Sequence, residues 1–279
     1  MEYRNLGSAG VKVSAIGIGC NQFGGKVDKD GTKDIVQRAL DEGINLFDTA
    51  DVYSRGVSEE YLGAAIDGLR DQVVIATKGR SKMGEGPNDQ GASRYHIMNA
   101  VEASLRRLGT DHIDLYQIHR WDDAVSVHEM MRALDDLVRA GKVLYIGASN
   151  LSAWQLCRSN DIAEMMGWER FGTIQPHYHM LERGIETELA PYCAFAGVGI
   201  LPYFPLAGGF LTGKYKRGET PPAGSRGEKS PYVQKYLTDA NFDKLETLTA
   251  FAASRGHTLH ELAFAWLLSN KQVSSVIAG

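Results

Sequence analysis

The chain has 279 residues, 43% of them hydrophobic, and a formal net charge of −4. One (β/α)8 barrel of about 250 residues would fill that length, as would two ordinary domains, and the mild charge gives no reason to expect nucleic acid or an anionic membrane as partner. No window approaches the roughly 20 apolar residues of a membrane span. Met1-Glu2-Tyr3-Arg4 leads into no apolar signal core, and Cys20, Cys157 and Cys193 are too far apart for a CxxC motif, so a soluble cytoplasmic protein with reduced thiols is expected.

In chain order, a small hairpin comes first, from Tyr3 to Leu6 and from Val11 to Ser14, leading into a strand at Ala15–Gly19. Further strands are predicted at Ile44–Ala50, Val73–Lys78, Ile113–His119, Val143–Asn150, Thr173–Tyr178, Gly199–Pro205 and Ser274–Gly279. Such short, near-continuous apolar runs suit parallel strands buried on both faces. Between them lie amphipathic stretches with helix punctuation. Thr32 is expected to cap a helix that ends at Gly43, and Ser58 to cap the next, with Glu59 and Glu60 in its first turn. Gly109 and Gly141 close two more, and Thr258 with Glu261 forms a capping box.

Strand and helix alternate throughout, which predicts an α/β protein with a parallel sheet. Eight strands favour a closed TIM barrel over an open sheet. Gly17-Ile18-Gly19-Cys20-Asn21-Gln22 lacks the third glycine of a dinucleotide fingerprint. The expectation is one barrel domain over 1–279 with an N-terminal β-hairpin. No eighth helix follows Ser274–Gly279, so the last helix is expected to be absent from this chain and to lie in a C-terminal segment beyond it. The polar stretch Gly213–Pro231 is too long for an ordinary connection and reads equally as a disordered excursion or as a lid over a ligand.

Barrel active sites lie at the C-terminal ends of the strands. Asp48, Lys78 and His119 end three consecutive strands here, and Tyr53 follows Asp48 in the next loop. Singly, each suits a cap or a surface group; together they converge. A free tyrosine titrates near ~10, too high for an efficient acid at neutral pH, and a lysine ammonium beside it lowers that value. A carboxylate keeps the lysine charged, and a histidine orients a substrate oxygen. The set suits proton donation from Tyr53 to a carbonyl oxygen as hydride reaches the carbon. Trp121, Phe23 and Asn21 are placed to line a substrate pocket. His177 and His179 share one strand face, but no third ligand follows, so no metal is expected.

The run Asp48-Thr49-Ala50-Asp51-Val52-Tyr53, with Gly56, Ser58-Glu59 and Leu62-Gly63, resembles the first signature of the aldo-keto reductases. Ala76-Thr77-Lys78 is similar to their lysine strand, and Leu108 to His119 to their second signature. Gly147-Ala148-Ser149-Asn150, Gln175 and Pro205 to Tyr215 match later segments, closest to the bacterial and potassium-channel-β-like branches. The resemblance implies an NAD(P)H-dependent reductase of aldehydes and ketones, with NADPH rather than NADH, a small-molecule carbonyl substrate and room for an oligomer. It implies Tyr53 as general acid with Lys78, Asp48 and His119. Ser149, Asn150 and Gln175 would hold the nicotinamide carboxamide, and Tyr203 would stack on the ring. Pro205, Leu206, Gly208, Leu211 and Lys214 would wrap the pyrophosphate. Phe204 stands where the family usually has Ser, which removes one phosphate hydrogen bond. The alternative is a cofactor-binding regulatory subunit with slow or vestigial reductase activity.

Overall fold

The computed structural model describes residues 1–279. Strands β1 (Tyr3–Asn5) and β2 (Lys12–Ser14) form the antiparallel hairpin. Eight parallel strands follow: β3 (Ile16–Gly19), β4 (Leu46–Asp48), β5 (Val74–Gly79), β6 (Ile113–Ile118), β7 (Val143–Ser149), β8 (Thr173–Gln175), β9 (Gly199–Ile200) and β10 (Val276–Ala278). They pair in sequence order, with β10 beside β3. The ring closes just before β10: Ile200 N–H donates to Gln272 O at 2.7 Å, and Ser274 N–H to Ile200 O at 2.9 Å. This is the predicted (β/α)8 barrel.

Helices α1 (Lys29–Asp41), α2 (Val57–Ala65), α3 (Arg94–Leu108), α4 (Val127–Arg139), α5 (Ala153–Met166) and α6 (Leu189–Ala196) each follow one strand. Two predicted caps belong elsewhere. Asp28 caps α1 through Gly31 N–H, while Thr32 sits inside the helix and donates to Asp28 O at 2.8 Å. Ser58 lies in the first turn of α2, buried, and its hydroxyl donates to Cys20 O at 2.8 Å. A buried hydroxyl takes whichever partner tertiary packing offers, so it was spent on the barrel rather than on the helix end.

Side chains alternate across each strand, and that period decides what faces the barrel axis. Leu46, Val74, Ala76, Leu115, Leu201 and Ile277 share one buried cluster with Leu6 and Val13 of the hairpin. The hairpin therefore plugs the N-terminal end. Phe47, Ile75, Tyr116, Ile146 and Ile174 point the other way, into the layer beneath the helices.

After β9 the chain makes a 3-10 segment, Ala207–Thr212, then an arm bearing short helices α7 (Arg226–Lys229) and α8 (Pro231–Gln234), then α9 (Asp239–Ala253) and α10 (Leu259–Ser269). The stretch Gly213–Pro231 is not the disordered excursion that its composition allowed. Tyr215 is buried and its hydroxyl accepts from Gly227 N–H at 2.9 Å, while Arg217 pairs with Asp239, Asp243 and Glu246 around α9. One aromatic anchor and one arginine give a polar segment the contacts that hydrophobic periodicity would not reveal.

Gly63 lets α2 approach the backbone of α3 closely. A Cβ there would stand 2.5 Å from Leu108 O and 2.7 Å from its carbonyl carbon, which are backbone atoms of α3 that cannot rotate away. Gly63→Ala is expected to lower unfolding free energy by about 1–3 kcal/mol. Gly10→Ala, where a Cβ meets nothing within 4 Å, should leave it unchanged. Denaturant midpoints of the two variants check the contrast.

Candidate active site

The inward face that is apolar near the hairpin turns polar at the opposite end. Asp48 stands two residues beyond Leu46, Lys78 two beyond Ala76, Gln117 two beyond Leu115, and His119 two beyond that. Ser149 pairs in register with Gln175, and Lys78 with Gln117. The upper layer of the barrel is thus a ring of hydrogen-bonding groups over an apolar floor.

Lys78 is at the centre and has no exposed surface. Its Nζ donates to Asp48 Oδ2 at 2.7 Å and to Thr49 O at 2.8 Å, and lies 3.4 Å from the Tyr53 hydroxyl. Burial alone would lower the lysine pKa, but the Asp48 carboxylate and Tyr53 outweigh it and hold the ammonium above its usual value. Asp48 Oδ1 accepts from Gln175 at 2.8 Å and from Gln117 at 3.2 Å. The tyrosine behaves differently from the sequence expectation. Burial pushes its phenol above the ordinary value; Lys78 opposes that rise, and Asp48 adds to it. Desolvation, which no spacing rule reports, is the larger effect, so Tyr53 keeps its proton at neutral pH. The His119 ring meets Tyr53 edge-on at 5.9 Å between centroids. Burial, followed by the Lys78, Arg120 and Arg80 cations, pushes its pKa down to about 3, which leaves a neutral imidazole.

Asp48, Tyr53 and His119 open on a cavity of about 270 Å³, with Lys78 buried behind them; it is walled also by Asn21, Arg120, Ser149, Asn150, Gln175, Tyr203, Phe204, Pro205 and Tyr232. The Tyr203 hydroxyl donates to Asn150 Oδ1 at 2.8 Å, and Asn150 Nδ2 donates to Ser149 Oγ at 2.9 Å and to His119 O at 3.2 Å. One face of Tyr203 is covered by His177, stacked 5.2 Å away, so the ring has only its other face to offer a ligand. A second cavity of about 290 Å³ shares Phe204, Pro205 and Gly279 with the first and is walled by Leu206, Gly208, Gly209, Lys214, Ser225, Arg226 and Lys26. Gly209 adopts φ +102°, and a Cβ there would press on Lys214 Nζ at 2.9 Å. Ser225 Oγ is buried with no partner. Three cations and an unpaired buried hydroxyl beside close-approaching backbone form a cradle suited to a phosphorylated ligand.

All six non-glycine residues with positive φ, namely Ser54, Arg55, Arg80, Asn150, Phe204 and Ala207, follow the C-terminal ends of barrel strands. Strain of roughly 1–3 kcal/mol at each is tolerated where surrounding contacts over-determine the backbone, as functional rims do.

The sequence-expected tetrad is thus brought together, and Asn21, Ser149, Asn150, Gln175, Tyr203 and Pro205 line the same cavity. Leu206, Gly208 and Lys214 line the second. Leu211 does not: its side chain is fully buried in the cluster beneath α9 and α10. Two expected substrate contacts also lie outside these walls. Phe23 is 2% exposed in the main core, and Trp121 is turned edge-on to Trp154 at 5.6 Å with its Nε1 donating to Asp123. A large ring just past a strand finds helical apolar neighbours before it finds the cavity. His177 and His179 bond to each other at 3.1 Å, and His179 to the Tyr236 hydroxyl at 3.1 Å. Gln117 was missed by sequence reasoning, although strand parity between Leu115 and His119 marks it. Arg120, Tyr232, Ser225 and Arg226 carried no comparable signal.

The aldo/keto reductase family model matches residues 15–279. A protein of Arabidopsis thaliana described as a probable voltage-gated potassium channel β subunit is 39% identical across 100% of this chain and 87% of its own. A versiconal hemiacetal acetate reductase of Aspergillus parasiticus is 34% identical across 97% of this chain and 86% of its own. An uncharacterized oxidoreductase of Bacillus subtilis is 36% identical across 100% and 87%.

Behind Lys78 lies a second buried polar group. Glu59 is inaccessible and is held by Arg107 Nε at 2.7 Å and Thr77 Oγ1 at 2.5 Å. Asp51 is 1% exposed, and neither carboxyl oxygen has a partner. Burial, with Glu59 next, pushes its pKa from 3.8 up to about 7. The folded state then holds a proton that the unfolded state has lost. Stability present below about pH 4 is therefore withdrawn as pH rises to about 7, by an amount on the order of a few kcal/mol. Asp51→Asn, an isostere of the protonated form, is expected to flatten this descent and to gain most over the parent at pH 8. Urea denaturation across pH 4–8 measures it.

Proposed function

The chain belongs to the aldo/keto reductase family, and on that premise we propose that it reduces aldehydes or ketones to alcohols, reversibly, with NADPH as reductant and Tyr53 as general acid. The observation that carries this reading is the placement of Lys78 Nζ between Asp48 and the Tyr53 hydroxyl, beside a neutral His119. The two neighbouring cavities suit the cofactor, since an amide- and aromatic-walled chamber shares Phe204, Pro205 and Gly279 with a cationic cradle. Ser149, Asn150, Gln175 and Tyr203 would hold its nicotinamide end; Pro205, Leu206, Gly208 and Lys214 would hold its phosphates. When bound, NADPH supplies the hydride to the carbonyl carbon.

The protein's own groups manage the oxygen. His119 donates a ring N–H to the carbonyl oxygen and fixes its direction. The Tyr53 hydroxyl transfers its proton to that oxygen as negative charge develops there. The phenolate left behind is stabilised by the Lys78 ammonium and regains a proton from solvent. Asp48 keeps Lys78 charged and pointed, and is itself held by Gln117 and Gln175. Two of the three free cysteines are buried, in keeping with a reducing cytoplasm.

The 39% identity to a described channel β subunit favours a second reading, a cofactor-binding regulatory subunit with slow or vestigial reductase activity. Light scattering that finds a large assembly with negligible turnover would favour it over the first.

Tyr53→Phe is expected to lower kcat for aldehyde reduction by about 10²-fold or more and to leave NADPH affinity nearly intact. Steady-state kinetics beside a fluorescence titration of NADPH checks both; retained turnover would remove Tyr53 as the acid.

A further inference from the structure

Apart from Asp48, whose charge is answered by Lys78 behind it, the first cavity has one ionised side chain on its wall. The charges of Lys78 and Asp48 neutralise each other at 2.7 Å. His119 is neutral and Tyr53 protonated. Arg120, next to His119, is exposed at the mouth and forms no ion pair within 4.0 Å. The nearest acids along the chain are engaged elsewhere: Asp122 holds Ala92 N–H at 2.8 Å and faces Arg80 at 3.9 Å, and Asp123 accepts from Trp121. Burial raises the Tyr203 phenol and the Arg120 cation opposes that rise, while the same cation helps keep His119 neutral. Arg120 therefore bears on both sides of the reaction chamber. Two further aromatic side chains, Phe204 and Tyr232, line the same cavity.

We propose that Arg120 is a specificity-determining residue that selects flat carbonyl compounds bearing a carboxylate remote from the reacting carbonyl. This rests on the reductase reading above and adds the substrate class. With the carbonyl oxygen between Tyr53 and His119, the body of the substrate lies against the aromatic walls and its acidic end meets the guanidinium. A planar fork of donors matches a carboxylate in two parallel hydrogen bonds, and a lysine would match it less well. The cofactor phosphates have their own cations, Lys26, Lys214 and Arg226, in the second cavity. Arg120 stands outside that cradle and is free for the substrate.

The test compares 4-carboxybenzaldehyde with its neutral methyl ester, using the full chain saturated with NADPH. The parent is expected to favour the acid by about 10-fold or more in kcat/KM, the size of one charge-assisted contact. That preference should shrink with added salt. Arg120→Gln should bring the ratio of acid to ester near one by raising KM for the acid, and Arg120→Lys should keep part of it. A parent without preference, or a preference that survives in Arg120→Gln, overturns the proposal while leaving the reductase reading intact. A second readout needs no turnover: calorimetric binding of 4-(hydroxymethyl)benzoate to the parent and to Arg120→Gln, with NADP present. Binding that Arg120→Gln abolishes, with neither aldehyde reduced, supports the anion site and removes the reductase reading instead.

Discussion

A lysine without exposed surface must have its charge answered inside the protein, and the upper barrel is arranged around that requirement. Asp48 answers it at 2.7 Å, and Thr49 O accepts a second hydrogen bond from the ammonium at 2.8 Å. Removing one member of such a pair leaves a bare buried charge, a loss on the order of 3–5 kcal/mol. That explains why the carboxylate is held in turn by two glutamines rather than left to swing. Gln117 and Gln175 supply neutral donors, which fix Asp48 without competing for its charge. Tyr53 then meets a cation held in place from two sides.

A second layer repeats the logic from the other side of β5. Thr77 points outward from the strand that points Lys78 inward, and it anchors Glu59, which anchors Arg107. Asp51 sits beside this chain without a partner of its own. The layer behind Lys78 and Asp48 is thus polar and buried, and through Glu59 and Arg107 it links α2 to α3.

Much of this could be read from the residue order. Alternation of apolar runs with capped amphipathic stretches gave eight strands and their helices, and the ends of three strands gave Asp48, Lys78 and His119. Strand parity would also have reached Gln117, which stands between Leu115 and His119 on one face. What stayed hidden depends on three-dimensional neighbours. Ser58 and Thr32 look like caps until the barrel claims their hydroxyls. Phe23, Trp121 and Leu211 sit near the rim in sequence and turn into packed clusters, because a large apolar side chain settles where it buries most area. The net rise of the Tyr53 phenol depends on how much water its pocket excludes, a quantity that motif spacing does not contain.

The plugged floor of the barrel ties the hairpin to the strand that closes the ring. Gly7 N–H meets Ser274 Oγ at 2.9 Å across 267 residues, and β3 pairs with β10. A ribosome adding about 5–20 residues per second keeps those partners apart for on the order of 10–50 s. Throughout that interval β3 presents an unpaired edge, and an unpaired edge is a template for pairing with another chain. The growing chain is therefore exposed to misassociation at that edge until β10 is made and the ring can close.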